Sequence, residues 1–163
     1  MNKLQRDVVN FLDAEKMEKG TNKYKHDTIS NISEILTFKI MFFKKLAVKK
    51  VLFIEEDIEE NIYIKIDPVA LDRMINNIIE NAMKYTDELG KIMITCKKHS
   101  ESVILSVKDN GPGIPGEQQK YLFTPYHQIT HHKRNTQGIG MGLYIVKLIL
   151  LFSLRQKQNP VID

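Results

Sequence analysis

Cysteine and tryptophan are almost missing from this sequence, and so are long apolar runs. Its 163 residues include one cysteine, Cys96, and no tryptophan. A lone cysteine excludes a disulfide framework and a cysteine-based zinc cluster, and it fits a reducing compartment. The longest apolar stretch, residues 139–154, contains two glycines and a lysine and falls short of the ~18 residues that a membrane span needs. We therefore expect a domain without disulfides, a secretory leader or a membrane span.

Neither sign of charge dominates the composition. Lysine and arginine number 24 against 20 aspartates and glutamates, which gives a net charge of +4. The lysines are scattered in pairs such as Lys44–Lys45 and Lys97–Lys98 and form no single basic stripe, so we expect no nucleic-acid binding. Apolar residues make up 42% and charged residues 27%, which is typical of a globular domain and excludes a disordered or coiled-coil chain.

The first third of the chain predicts two helices and a short strand. Residues 4–12 carry apolar side chains at helical spacing, and we expect that helix to end in a polar linker over Glu15–Asn22. Tyr24–Ile29 is predicted to be a strand. Asn31, with Glu34 three residues later, forms a capping-box pattern that opens the second helix. The apolar face of this helix is predicted to consist of Ile32, Ile35, Leu36, Ile40, Phe43, Leu46 and Ala47.

Four segments in the middle of the chain are predicted to be strands, and three of them alternate apolar and polar residues. Val51–Ile54 and Ile62–Ile66 are two of them, and Lys91–Lys97 with Ser102–Val107 is predicted to form a hairpin. The order of helices and strands predicts an α+β fold. We expect a two-layer α/β sandwich, in which the helices pack on one side of a mixed sheet.

A third helix is predicted between these strands. Asp67 followed by Pro68 combines a capping carboxylate with a proline in the first turn, and the apolar spacing extends the helix to about Thr86. Its buried stripe is predicted to be Leu71, Ile75, Ile78 and Ala82.

Three polar side chains line one edge of that helix. Asn77, Asn81 and Lys84 follow each other at spacings of four and three residues, beside the buried stripe. An asparagine oxygen is a neutral ligand suited to Mg²⁺, and a lysine ammonium contacts phosphate oxygens. The edge is therefore chemically fit for a metal–nucleotide complex; the alternative is an ordinary solvated helix face.

A glycine-rich turn follows the predicted hairpin. Asp109 stands shortly before Gly111 and Gly113. A carboxylate accepts a hydrogen bond from an exocyclic amine, and bare glycine backbone lets a flat ring come close. The turn thus suits adenine recognition, although a glycine-rich turn alone indicates only a tight connection.

A second set of glycines opens the last predicted helix. Gly138, Gly140 and Gly142 occupy every second position before a strongly apolar segment. Backbone N–H groups at a helix start bind phosphate with the help of the helix dipole. A Rossmann loop is not predicted, because its glycines have a different spacing and follow a strand. A Walker loop is excluded because no Gly-Lys-Ser or Gly-Lys-Thr sequence occurs.

Taken in order, these segments resemble the ATP-binding domain of sensor histidine kinases, in the superfamily shared with DNA gyrase and MutL-type ATPases. Residues 77–85 resemble the family's asparagine box, 109–115 its first glycine box, 121–126 its phenylalanine box and 138–143 its second glycine box. The resemblance covers about residues 21–147 and implies a Bergerat-type ATP-binding fold. It divides the chain into residues 1–20, similar to the end of a dimerisation and phosphotransfer helix with its linker, and residues 21–163, the catalytic domain.

The resemblance implies ATP and Mg²⁺ as cofactors and a role for each box residue. Asn81 would hold Mg²⁺ at the phosphates, with Asn77 and Lys84 assisting, while Asp109 would bond the adenine amino group and Tyr85 would lie near the nucleotide. In ATP-hydrolysing relatives a glutamate at the position of Asn77 activates water, so the asparagine favours a kinase. The other implied contributors are Glu80 as an acid or base or else a surface ion-pairing residue; Gly111, Gly113 and Ile114; Lys133 and Arg134 in a lid over residues 124–137; and Gly138, Gly140, Gly142 and Leu143.

Two features depart from the family pattern. None of the five histidines lies in a helical acceptor motif, so the acceptor histidine is expected on a domain that this chain does not supply. The family's last two strands are missing from the sequence, so we expect an incomplete sheet with an unpaired edge along Ser102–Val107. The face formed by Ile145, Leu148, Ile149 and Phe152 is then expected to be partly uncovered. Both surfaces promote self-association.

We therefore expect the ATP-binding catalytic domain of a two-component sensor histidine kinase, which is not self-sufficient as an enzyme. The implied partners are a histidine-bearing dimerisation domain and the receiver domain of a response regulator. The resemblance implies that this domain lies in the cytoplasm and that its parent protein can be anchored in a membrane. The alternatives are a non-catalytic nucleotide-binding or interaction module of the same fold and a serine kinase of the anti-sigma type. An ATP-driven conformational machine is disfavoured by Asn77.

Overall fold

The computed structural model describes residues 3–21, 23–25, 27–128 and 139–155. Its elements follow in the order α1 (Lys3–Glu18), β1 (Ile29–Asn31), α2 (Ile32–Lys49), β2 (Phe53–Ile58), β3 (Tyr63–Lys65), α3 (Pro68–Tyr85), β4 (Lys91–His99), β5 (Ser102–Asp109), α4 (Gly116–Gln119) and α5 (Gly142–Arg155). They fall into two compact units. The central unit is Lys25–Gly113, and the terminal unit lies within Met1–Tyr24 and Ile114–Asp163.

The central unit has two layers, as the sequence predicts. Its main sheet has the strand order β2-β4-β5, with β2 parallel to β4 and β4 antiparallel to β5. Helix α2 packs against β2, α3 packs against β5, and the two helices contact each other. The α+β class, the mixed sheet and the predicted hairpin are therefore confirmed.

The core of the central unit lies between these helices and the middle strand. Ile92, Ile94 and Cys96 alternate along one face of β4 and are fully buried. Each fully buried aliphatic side chain contributes about 1.5–3 kcal/mol relative to its exposed state. The predicted faces of the helices are largely confirmed, but Ile35, Leu46 and Ile78 are only half-buried. Helix α3 instead also buries Met74, Ile79 and Met83, because it is covered by both α2 and the sheet.

Both predicted helix caps are present. The Asp67 carboxylate accepts hydrogen bonds from the backbone N–H of Val69 at 2.8 Å and of Ala70 at 3.2 Å, at the start of α3. Its other oxygen accepts the Lys25 N–H at 2.8 Å, so this buried aspartate also holds the entering chain. Asn31 caps α2 by accepting the Glu34 N–H at 3.3 Å. Such caps stabilise a helix by about 1 kcal/mol each.

Helix α2 ends in a Schellman motif with a valine at the left-handed position. The Leu52 N–H bonds to the Ala47 carbonyl at 3.0 Å and the Val51 N–H to the Val48 carbonyl at 3.2 Å. Val51 has a φ of 54°, where glycine is the usual residue. The predicted strand at Val51–Ile54 therefore starts only at Phe53, because Val51 still belongs to the helix end.

The predicted strand at Tyr24–Ile29 is wrong in position. The strand is Ile29–Asn31, and it pairs antiparallel with β3 in a two-stranded sheet of its own. The segment before it is held by single contacts, including the Ile66 N–H to the Thr28 carbonyl at 2.9 Å. Among the described residues β3 pairs with Ile29–Asn31 alone, so the strand begins at Ile29.

In the terminal unit α1 packs along α5. Helix α1 continues to Glu18, so the linker predicted over Glu15–Asn22 starts later than expected. Ile145 and Ile149 are 0% and 1% exposed, so the prediction of an uncovered face is wrong for these residues. Phe152 lies edge-on to the Tyr24 ring, with centroids 6.5 Å apart. The exposed apolar residues of α5 are instead Leu150, Leu151 and Leu154.

The last strand keeps one open edge. Across residues 27–128 and 139–155, β5 pairs with β4 alone and no later strand is present, as the sequence predicts. Among the described helices, none combines the length and the apolar character required to traverse a bilayer.

Candidate functional site

The polar edge of α3 lies at an intermediate depth. Asn77, Asn81 and Lys84 are each half-buried on this helix, whereas the neighbouring Glu80 is exposed. The three residues thus share one edge, as the sequence predicts.

Local contacts orient two of these side chains. The Asn77 side-chain nitrogen donates to the Arg73 carbonyl at 2.9 Å, which leaves the amide oxygen as the atom available to a ligand. The Lys84 ammonium donates to the Tyr85 hydroxyl at 3.1 Å and lies 4.8 Å from the centre of its ring. A phosphate that attracts Lys84 competes with this hydrogen bond and with the cation–π contact, which is worth about 0.5–1 kcal/mol at exposed sites.

The turn after β5 is organised by two side chains. Asp109 ends the strand, and its Oδ1 accepts the Gly111 N–H at 2.9 Å. Asn110 ties the turn to the start of β4, because its side-chain oxygen accepts the Lys91 N–H at 2.8 Å. Asn110 is not among the residues predicted from the sequence. The sequence Asp-Asn-Gly could have predicted this role, because aspartate and asparagine side chains form hydrogen bonds with nearby backbone in turns.

Gly111 brings this turn against the end of α3. A Cβ at Gly111 would lie 2.7 Å from the Tyr85 carbonyl oxygen and 2.8 Å from Asp109 Oδ1, so no larger residue fits. Gly113 has a φ of 71°, which an L side chain rarely adopts. The turn that carries Asp109 therefore lies next to the C-terminal end of α3, inside the central unit.

The second glycine segment belongs to the terminal unit. Gly140 has a φ of 72°, and a Cβ there would lie 2.5 Å from the His127 carbonyl oxygen. Gly142 and Leu143 begin α5 and are half-buried, and the Ile145 N–H closes the first turn on the Met141 carbonyl at 2.9 Å. A helix start of this kind presents backbone N–H groups to an anion.

The structure describes only some of the remaining predicted residues. Ile114 is 39% exposed, and its carbonyl accepts the Gln119 side chain at 3.1 Å. At the phenylalanine-box segment, the Tyr121 ring lies 5.2 Å from the ring of His127, the residue that follows the box. Lys133, Arg134 and Gly138 lie outside the described residues, as does most of the predicted lid.

A hydrogen bond from Tyr144 to Glu18 lies next to this helix start and was not predicted. This bond, with a smaller contribution from burial, raises the pKa of Tyr144 to about 12.

The donor set at α3 fits a magnesium ion that is shared with a nucleotide. Within the described parts of the chain, no group of three or more histidine, cysteine, aspartate or glutamate side chains forms a metal cage. Mg²⁺ commonly takes one or two protein oxygens and completes its octahedron with water and substrate phosphates. The single amide oxygen of Asn81 meets that requirement.

The sequence pattern of the histidine kinase-, DNA gyrase B- and HSP90-like ATPases matches residues 66–155. The match covers more than half of the chain and includes every described candidate site residue. The chain therefore belongs to this family.

Sensor kinases are among its relatives. The aerobic respiration control sensor protein ArcB homolog of Haemophilus influenzae is 31% identical over 138 residues, which are 83% of this chain and 40% of that protein. The chain spans less than half the length of the curated relatives that it matches.

Solved histidine kinases share the fold. The catalytic domain of histidine kinase ThkA is 26% identical, with a TM-score of 0.70 over 81% of this chain and 82% of that chain. Full-length ShkA in complex with AMPPNP is 23% identical, with a TM-score of 0.73 over 90% of this chain and 30% of that chain.

Proposed function

We propose that this chain is the ATP-binding catalytic domain of a two-component sensor histidine kinase. In this proposal it positions Mg-ATP for phosphoryl transfer to a histidine on another domain. The observation that carries the proposal is the close approach of Gly111 to the Tyr85 carbonyl, because it brings the Asp109 turn to the end of the helix that carries Asn77, Asn81 and Lys84. One unit thereby offers an acceptor for a base amine together with ligands for phosphate and metal.

The Asp109 turn is the proposed adenine site. An ionised carboxylate has about four acceptor positions, so the bond to the Gly111 N–H orients Asp109 and leaves capacity for the adenine amine. Gly111 and Gly113 keep the backbone bare where the flat base approaches. Ile114 is partly exposed and supplies apolar contact.

The edge of α3 is the proposed phosphate and metal site. Asn81 is the magnesium ligand, and Asn77 and Lys84 bind the phosphates. When bound, Mg²⁺ neutralises charge on the phosphoryl oxygens. Glu80, one residue before Asn81, is exposed and is proposed as an acid or base. Further contacts to the phosphates are proposed from Lys133 and Arg134 and from the glycine segment of Gly138, Gly140, Gly142 and Leu143.

The comparisons support this proposal through what the relatives bind. The structure of ShkA contains AMPPNP, and ThkA forms a complex with the response regulator protein TrrA. We propose the same classes of partner here: an adenine nucleotide, a receiver domain and a dimerisation domain that carries the acceptor histidine. Such a system places the chain in the cytoplasm.

Nucleotide titration tests the binding step. AMPPNP affinity is measured by calorimetry with and without Mg²⁺ for the wild type, Asn81→Ala and Asn76→Ala. We expect Asn81→Ala to abolish the gain from Mg²⁺. Asn76→Ala is the matched control, because its amide bonds to Asp72 at 3.0 Å on another face of the same helix. An equal loss in both variants would contradict a metal role for Asn81.

Base selectivity tests the adenine site. We expect Asp109→Asn to lose most of the preference for ATP over GTP, by about tenfold or more, because a hydrogen bond to a charged acceptor is lost. Asp57→Asn, on the same sheet and paired with Lys97 at 2.6 Å, should keep the preference. A wild type that binds no nucleotide would refute the proposal and favour the alternative of an interaction module.

Transfer is tested with radiolabelled ATP and a separately supplied dimerisation domain. We expect label on that domain only when the wild-type chain is present. Label that appears on the chain itself without the second domain would contradict the proposal that the acceptor histidine lies on another domain.

A further inference from the structure

Helix α2 of the central unit carries an apolar stripe on its outer face. Phe38, Met41, Phe42 and Val48 are exposed by 73%, 60%, 52% and 76%. They recur at spacings of three, four and seven residues, so they lie along one line of the helix. The Phe42 ring is held edge-on by the buried Phe43, with centroids 5.6 Å apart. Contiguous exposed apolar side chains of this size mark an interaction surface.

Charged residues lie on the same stripe in a defined order. Glu34 precedes the apolar residues, and Lys45 and Lys49 are interleaved with their C-terminal end. All three are exposed, and none of them forms an ion pair with the described residues. The neighbouring lysines away from the stripe are engaged: Lys39 with Asp72 at 2.6 Å and Lys44 with Glu56 at 2.5 Å.

The stripe is complementary to itself when one copy is reversed. Turning α2 about the midpoint between Met41 and Phe42 places Glu34 opposite Lys49 and Phe38 opposite Lys45. Met41 of each copy then lies opposite Phe42 of the other, at the centre. An acidic N-terminal end and a basic C-terminal end match only in the antiparallel direction.

We propose that α2 is a self-association surface through which two copies of this chain pack with their α2 helices antiparallel. Glu34 of each copy pairs with Lys49 of the other, and Lys45 lies over the Phe38 ring of the other as a cation–π contact. The same patch serves both copies, which is an isologous two-fold interface that closes at a dimer. An anionic membrane is the less suitable occupant, because it attracts the lysines but repels Glu34.

The dimer should be weak in isolation. One helix face buries much less than the roughly 800 Å² per partner of a standard stable complex. The segment Ile35–Ile54 also holds five lysines and no acidic residue, so the two copies repel each other outside the paired positions. Association is therefore expected at high protein concentration and should strengthen as moderate salt screens that repulsion.

A charge exchange tests the register. Sedimentation equilibrium over a wide concentration range gives the dimer affinity for wild type, Glu34→Lys, Lys49→Glu and the double variant. Each single reversal places like charges together twice per dimer and should weaken it by about tenfold. The double variant should recover the wild-type affinity. Both substitutions are at exposed helix positions, and circular dichroism verifies folding.

The apolar centre is tested in the same assay. Met41→Glu should weaken the dimer by about a hundredfold, because two central contacts are lost and two like charges meet. Val69→Glu is the matched control, since Val69 is 66% exposed on α3 of the same unit and should leave the affinity unchanged. The proposal is overturned by a wild type that stays monomeric at millimolar concentration, by a double variant that does not recover, or by a dimer indifferent to Met41→Glu. Binding of wild-type chain, but not Met41→Glu, to phosphatidylserine vesicles without dimerisation would assign the stripe to a membrane instead.

Discussion

The hydroxyl of Tyr144 donates a hydrogen bond to the carboxylate of Glu18. This bond ties the last turn of α1 to the first turn of α5, two residues after Gly142. Because α1 also packs along α5, the orientation of the helix start depends on a segment more than a hundred residues earlier in the chain. In the proposed function this helix start contacts phosphate, so α1 is in a position to influence nucleotide binding.

Removal of this hydroxyl should loosen α1. We expect Tyr144→Phe to lower the free energy of unfolding by about 1 kcal/mol, because the bond to a charged acceptor is partly solvated. Hydrogen exchange should accelerate in α1 and in the first turn of α5. Tyr121→Phe is the control, because the Tyr121 side chain is exposed and its ring contact with His127 survives. Equal effects of both substitutions would show that the bond to Glu18 contributes nothing.

The same bond predicts a dependence on alkaline pH. The pKa of Tyr144 rises from its ordinary value of 10.0 to about 12, chiefly through the hydrogen bond to Glu18. A raised pKa means that folding favours the protonated hydroxyl, so its stabilising contribution is complete below pH 10 and is lost as the pH rises through 12. The tyrosinate absorbance of wild type minus that of Tyr144→Phe isolates one of the six tyrosines. A midpoint near the ordinary value would contradict the prediction.

Replacing Val51 with glycine should stabilise the protein. Its φ of 54° costs a β-branched residue more than it costs glycine, so Val51→Gly should raise the free energy of unfolding by about 1 kcal/mol in urea denaturation. Val69→Gly makes the same chemical change at an exposed helical position and should destabilise by a similar amount. Destabilisation by both substitutions would show that the left-handed position is not strained.

Gly111 should be indispensable for the proposed adenine site. In Gly111→Ala the new methyl group meets the Tyr85 carbonyl oxygen at 2.7 Å, so the turn must move away from α3. We expect the affinity for AMPPNP to fall by about tenfold or more, while the fold is retained. Gly116→Ala should be neutral, because a Cβ there has nothing within 4 Å. Unchanged affinity in Gly111→Ala would separate this turn from the nucleotide site.

Local chemistry made much of the fold predictable. The sequence predicts the helix caps at Asn31 and Asp67 and the hairpin that starts at Lys91, because each of these features depends on residues close in sequence. The strand near Ile29 was misplaced, because its position is decided by pairing with Tyr63–Lys65 far along the chain. Val51 was assigned to a strand, since its β-branched side chain suits one and its left-handed backbone is set by the helix end.

The candidate site was also predictable only in part. The spacing of Asn77, Asn81 and Lys84 predicts from sequence alone that the three residues share one edge of the helix. The contact between Gly111 and the Tyr85 carbonyl depends on how β5 packs against α3, and no local pattern encodes it. The link between Glu18 and Tyr144 likewise arises from tertiary packing.

The close approach of Gly140 to the His127 carbonyl has a practical consequence for engineering. Two points of the chain that already touch form a natural insertion point, since lengthening what connects them costs only about 0.6 kcal/mol for each doubling of its length. A fluorescent reporter grafted between these anchors should therefore leave both units folded.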